Sequence, residues 1–150
     1  MRLWRISHHA DVSATGELRA GGCWHTPARP IVYCCQNAAA CLLDALVYIE
    51  ARRREDLPPH YHLLAIDLPE DVSLPDVPHL PQDWRDNLAA TRRVGDDWLR
   101  SGASLLLPVP SALVPESRNI LFNPLDSDAA RARICGAARY PFDPRLFGGR

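Results

Sequence analysis

The run Ile31-Val32-Tyr33-Cys34-Cys35, followed two residues later by Asn37 and then by a dozen strong helix formers, constrains this chain more than any other stretch. The run is short, apolar, branched and aromatic, which predicts a buried strand. Asn37 suits a helix cap, because its side-chain oxygen can accept a bond from a free backbone N–H of the first turn. In the helix, from about Ala38 to Arg52, the residues Ala38, Leu42, Ala45 and Ile49 recur at helical spacing and make one apolar face. Asp44 sits beside that face, three residues after Cys41 and four before Tyr48. Just upstream, Gly21-Gly22 permits unusual backbone angles, Cys23-Trp24-His25 is aromatic and polar, and a turn through Arg29-Pro30 leads into the strand.

Around this centre, Leu3 to Ile6, Tyr61 to Leu68, Leu105 to Val109 and Asn119 to Phe122 read as further strands. His8 to Ala20 reads as loop, and Arg52-Arg53-Arg54 with Glu55 and Asp56 as a solvated helix end stopped by Pro58-Pro59. Pro69 to Pro81 is an irregular connection. Asp83 is expected to cap a second helix, with Asp86 in its first turn, Trp84, Leu88, Thr91 and Trp98 along its stripe and Gly102 at its end. A short helix is expected over Ser127 to Arg133, and the aromatic, proline-rich tail from Tyr140 to Phe147 is expected to pack. The strands are not regularly separated by helices, so the pattern points to an α+β fold rather than a doubly wound sheet. A length of 150 residues with 47% hydrophobic content suits one domain, residues 1–150.

Several function classes fall away. The formal net charge of −1 gives no field to attract nucleic acid or an acidic membrane. The first residues lack the apolar core of a signal peptide, and no apolar run reaches the roughly 18–20 residues that span a bilayer, so a cytoplasmic protein is expected. Five cysteines, an odd number without framework spacing, read as reduced thiols. Neither a C-x-x-C nor an H-x-x-x-H pair is present, so no metal is expected. Cys23 or Cys34 with His25 can be written as a thiol nucleophile and its base, but no helix N-terminus is in place to lower the thiol's pKa; an unrelated α+β hydrolase using Cys23 is the remote alternative. A glycine-rich phosphate loop is absent. Every basic residue other than histidine is arginine, which leaves arginine for any anion binding.

The remaining signal is a combination. Tyr33 on the strand precedes a carboxylate, Asp44, by eleven residues, and Ser111, flanked by proline, follows a buried strand. Singly, each has an ordinary structural reading: Tyr33 as a half-buried core aromatic, Asp44 as a surface acid, Asn37 as a cap, Ser111 as a turn residue. Their order and spacing, however, resemble a family. The pattern from Gly21 to Tyr33, the Ala/Leu-rich helix with an acid, and above all LLPVPSALVPESRNILFNP from Leu106 to Pro124 are similar to the RES-domain toxins. The resemblance runs from Leu3-Trp4-Arg5-Ile6 to the segment from Phe142 to Phe147, so nearly the whole chain is a single RES-type domain.

That resemblance implies a fold related to ADP-ribosyltransferases, with a compact mixed β core and flanking helices. It implies action on NAD, by degradation or by ADP-ribosyl transfer to a protein, in a bacterial type II toxin–antitoxin pair. The implied partner is an Xre-type helix-turn-helix antitoxin, with a homodimer as a further state. By the same resemblance Tyr33, Asp44 and Ser111 are the catalytic positions. Cys23, Trp24, His25, Arg29, Asn37 and Asn123 are assigned to NAD binding. The family's arginine is Cys23 here, its glutamate is the shorter Asp44, and Asn37 stands where serine is common. An arginine fork grips pyrophosphate in a way that cysteine does not, so Arg29 in the adjacent turn is the expected substitute. The alternative is a catalytically inactive RES-fold binding protein that keeps only the antitoxin interface.

Overall fold

The computed structural model describes residues 1–14, 21–48, 58–114 and 116–147. Their elements, in chain order, are β1 (Arg2–Ser7), β2 (Val32–Cys35), α1 (Ala38–Tyr48), β3 (Tyr61–Asp67), α2 (Leu88–Ser101), β4 (Leu106–Pro110), β5 (Arg118–Phe122) and β6 (Arg133–Tyr140), with short 3-10 turns over Ser127–Arg131 and Pro144–Phe147. The six strands form one sheet in the order β4-β5-β2-β1-β3-β6. Every neighbouring pair in it is antiparallel. This is an α+β fold, as the strand and helix pattern predicts.

The period of two along each strand sorts side chains onto two faces. On one face Leu3, Val32, Cys34, Leu64, Ile66, Leu106, Ile120 and Phe122 close a dry core with Leu105, Leu68 and Val72. On the other, Leu107, Val109 and Leu121 pack with Ile31, Trp24 and Trp98. Helix α1 lies over β1 and β2 on this side. Pro108 and Pro110 lie in β4, which a central strand would not tolerate; as an edge strand β4 aims the backbone nitrogens of those two positions away from β5, where a missing N–H breaks no ladder bond.

Two helices and the buried face of a third differ from the sequence reading. Helix α2 starts at Leu88, not after Asp83: Asn87 is its cap, accepting from the Ala90 N–H at 3.1 Å, while Asp83 accepts from the Asn87 side-chain amide at 3.0 Å. The intervening residues form a turn closed by Trp84 N–H to Pro81 O at 3.1 Å and Asp86 N–H to Asp83 O at 3.0 Å, which frees Trp84 to face the cleft described below. Gly102 ends the helix as expected, in a left-handed conformation (φ 58°) with its N–H on the Trp98 carbonyl. The expected helix over Ser127 to Arg133 is only a 3-10 turn, and Arg133 opens β6 instead. That strand is exposed along its length and is poor in branched residues, so its identity comes from pairing with β3, with an irregularity between Ala65 and Ile66, rather than from propensity. Burial in α1 centres on Cys41, whose thiol donates to the Trp4 carbonyl at 3.5 Å, rather than on the expected stripe through Leu42. The predicted helix end from Ile49 onward and the arginine run at 52–54 lie outside the described residues.

The tail packs as expected: Tyr61 stands 6.0 Å from Tyr140 and 4.7 Å from Phe142, ring centre to ring centre, and Phe142 meets Phe147 edge-on. No helix among the described residues is long and apolar enough to cross a membrane.

Candidate functional site

A cleft of about 250 Å³ opens between α1, the start of α2 and the β4–β5 end of the sheet. Its polar floor follows from strand register. Cys35 on β2 faces Asn119 on β5, and Asn119 faces Val109 on β4, so the three lie in one row across the sheet. Helix α1 passes over that row and lowers Asp44 onto it. The Cys35 thiol lies 3.7 Å from Asp44 Oδ2 and 3.5 Å from Asn119 Oδ1, and its single proton serves one of them at a time. The Asn119 side chain also favours the charged form of the Asp44 carboxylate.

Burial raises the Asp44 pKa above the ordinary aspartate value, and the bonds from Asn119 and Cys35 pull partly in the other direction. The Cys35 thiol is itself pushed up, first by the neighbouring Cys41 thiol and then by burial, so it stays a neutral donor. The floor is therefore a half-buried carboxylate held by two neutral groups.

The wall begins at Cys23, whose sulfur lies 2.9 Å from the Tyr48 hydroxyl. Burial and then this contact raise the Tyr48 pKa, so the phenol stays protonated. Tyr48 shares the α1 face of Cys41 and Asp44 by helical spacing. Thr91 of α2 donates to the Cys23 carbonyl at 2.6 Å, and Arg92 Nε donates to the Gly22 carbonyl at 2.8 Å. Trp24 follows, its ring tilted against Trp84 with centres 6.0 Å apart. Helix α2 comes this close because position 95 is glycine: a Cβ there would overlap the Trp24 carbonyl oxygen.

Of the nine positions singled out from sequence, Cys23, Trp24 and Asp44 line this cleft. Tyr33 lies beneath it. Its hydroxyl accepts from the Trp24 N–H at 3.1 Å and meets His25 Nδ1 at 2.9 Å, and Gly22 fits over it because a Cβ there would strike the phenol oxygen. His25 is fully buried. Ser111 is buried between two lining residues, Pro110 and Ala112, with its hydroxyl accepting from the Leu113 and Val114 N–H groups at 3.3 and 3.1 Å. Asn37 caps α1 at its exposed end, accepting from Ala39 and Ala40.

The remaining two lie elsewhere. Arg29 Nε is 3.3 Å from Asp96, and Arg29 lines a separate hollow of about 360 Å³. Asn123 lines that same hollow, and its side chain accepts from the Leu125 N–H at 3.0 Å. Sequence reading passed over Tyr48, Trp84, Arg85, Thr91 and Asn119, all of which line the cleft. Two signals were present: Tyr48 is one helical turn from Asp44, and Asn119 lies in the same motif as Asn123, on the strand face opposite the core residues Ile120 and Phe122.

The RES domain model matches residues 2–143. The chain belongs to the RES domain family. Among its curated relatives are a protein named "Toxin Res" of Pseudomonas putida, 43% identical over 147 residues that span 98% of this chain and all of that one, and a "Toxin Res" of Photorhabdus laumondii, 34% identical over 85% of each chain. A "Prs ADP-ribosylating toxin" of a Sphingobium species is 30% identical over 96% of this RES chain and 95% of its own length. The RES match covers every element that builds the cleft, from β1 to β6. Among the described residues of this RES chain, no cluster of three or more His, Cys, Asp or Glu side chains has the arrangement to hold a metal ion.

Proposed function

We propose that this chain is an NAD-consuming toxin whose chemistry takes place in the Asp44 cleft of a single RES domain with an ADP-ribosyltransferase-like fold. The observation that carries the reading is the pairing of a half-buried carboxylate, held by Asn119 and Cys35, with a wall of two tryptophans. The name of the Sphingobium relative supports NAD as the substrate class. Nicotinamide and ribose are flat and hydroxylated, and they suit aromatic walls around a few fixed polar groups.

The reaction breaks the bond between the ribose carbon and the nicotinamide nitrogen. The bonding electron pair leaves with nicotinamide, which becomes neutral. Positive charge develops on the ribose, and ionised Asp44 stabilises it. A water, a phosphate or a side chain of a protein acceptor then supplies the oxygen or nitrogen that bonds to the ribose carbon and releases its proton to solvent. Tyr33 acts from beneath, by holding the Trp24 backbone and His25 in position. Ser111 acts by fixing the loop that carries Pro110 and Ala112. The partner is a helix-turn-helix antitoxin of Xre type that covers the cleft in the cytoplasm; self-association into a homodimer belongs to the same reading.

Purified protein is expected to deplete NAD and release nicotinamide, and Asp44→Asn is expected to lower the rate roughly a hundredfold or more, as loss of a group that stabilises transition-state charge does. Cys23 at the arginine position favours a second reading, a binding protein that keeps the antitoxin interface. That reading replaces the first if the parent releases no nicotinamide while still binding its antitoxin.

A further inference from the structure

The cleft holds two charged side chains among its described lining, Asp44 on the floor and Arg85 at the mouth. Arg85 sits in the turn before α2. Its guanidinium carbon lies 4.7 Å from the centre of the Trp84 ring, a stacked position that restrains a long side chain without occupying its N–H groups. Three other arginines of this end of the molecule are engaged otherwise: Arg29 with Asp96, Arg92 with the Gly22 carbonyl, and Arg100 with Asp97. Asp83, a potential competitor for Arg85 in the same turn, receives the Asn87 amide. At position 23 the sulfur is in contact with the Tyr48 hydroxyl and offers no guanidinium fork.

Size places the phosphates. A space of about 250 Å³ is at the small end for a ligand pocket. It takes the nicotinamide–ribose half of a dinucleotide and leaves the pyrophosphate at the mouth, where Arg85 is exposed. We propose that Arg85, laid on Trp84, grips the pyrophosphate of the dinucleotide in this cleft and so carries the role that an arginine at position 23 does not fill here. The inference rests on the NAD reading for the ligand's class, but its test does not depend on turnover.

The experiment is calorimetric titration of ADP-ribose, which has the pyrophosphate, and of nicotinamide, which lacks it, into the parent, Arg85→Ala, Arg85→Lys and Arg85→Ala/Cys23→Arg. Arg85→Ala is expected to weaken ADP-ribose binding about tenfold to a hundredfold, the range for a lost charge-assisted pair, and to leave nicotinamide binding unchanged. Arg85→Lys is expected to recover part of the loss, because it keeps the charge but not the fork. Cys23→Arg is expected to restore binding in the Arg85→Ala background, which a merely structural role for Arg85 does not predict. Matching melting temperatures exclude misfolding as the cause. ADP-ribose binding by Arg85→Ala within about twofold of the parent overturns the inference; so does a parent that does not bind ADP-ribose. If the parent consumes NAD but its ADP-ribose affinity is indifferent to Arg85, the Arg85 inference alone falls. If ADP-ribose binding depends on Arg85 but no NAD is consumed, the turnover reading falls and Arg85 stands.

Discussion

Two hollows of similar size draw on the same sequence motifs, yet their polar groups are in opposite states. In the larger one, of about 360 Å³, Arg29 pairs with Asp96, and the Asn123 side chain closes the turn at Leu125. Asp96 further accepts the Thr26 N–H at 3.1 Å and the Thr26 hydroxyl at 2.9 Å, so the carboxylate pins the 26–29 turn onto α2. In the smaller one, Asp44 faces a neutral amide and a thiol, and Arg85 lies on a ring. Charges that are matched inside the protein hold elements together; charges left without an ionic partner in a concave site are available to a ligand. The difference teaches that volume and motif membership do not separate a working cleft from a structural joint, whereas the partners of each charge do.

The sharpest way to break the comparison is to remove the close approach on which the cleft depends. Gly95→Ala is expected to destabilise the fold by about 3 kcal/mol, at the upper end for overpacking, because the new methyl meets backbone rather than a yielding side chain. Denaturant melts check this; an unchanged midpoint means that α2 does not rest on the Trp24 backbone.

Asp96→Ala comes next. It is expected to cost about 2–3 kcal/mol by orphaning Thr26 and Arg29. Arg29→Ala is expected to cost about 1 kcal/mol, since Arg29 is partly exposed. Neither is expected to change ADP-ribose affinity in protein that remains folded. A selective loss of that affinity on Arg29→Ala moves the anion site to the larger hollow.

A smaller effect separates charge from packing at Asp44. Its folded pKa is raised, so its contribution to stability is fully present below the unfolded pKa and is lost as pH rises through the folded value. Asp44→Asn is therefore expected to melt at or above the parent at neutral pH, with the advantage shrinking as pH falls into the range where Asp44 is protonated. Thermal melts from neutral to acid pH measure it, and a variant less stable than the parent at neutral pH contradicts the burial argument.

The smallest expected change is a shift in pH. Asn119 favours the charged carboxylate, so Asn119→Ala is expected to raise the Asp44 pKa further and move the acid limb of NAD consumption to higher pH. A limb that stays in place removes Asn119 from the site.

Local chemistry alone determined much of this protein. The branched run at 31–35, the Asn37 cap, the Gly102 stop and the short apolar runs in 105–109 and 119–122 each specify their element, because the signal lies within a few residues of the structure it makes. The motif order carried the family and brought Cys23, Trp24 and Asp44 forward as candidates. Three-dimensional pairing decided the rest. Strand β6, exposed and poor in branched residues, exists through its ladder with β3. Asn119 reaches the cleft because β5 lies beside β2 in a register that sets it opposite Cys35. Arg29 and Asn123, inside the motifs in sequence, are carried into another hollow, while Arg85, outside them, arrives at the mouth on the turn before α2. Which charge meets which partner is a long-range property of sheet order and helix approach, and no spacing along the chain encodes it.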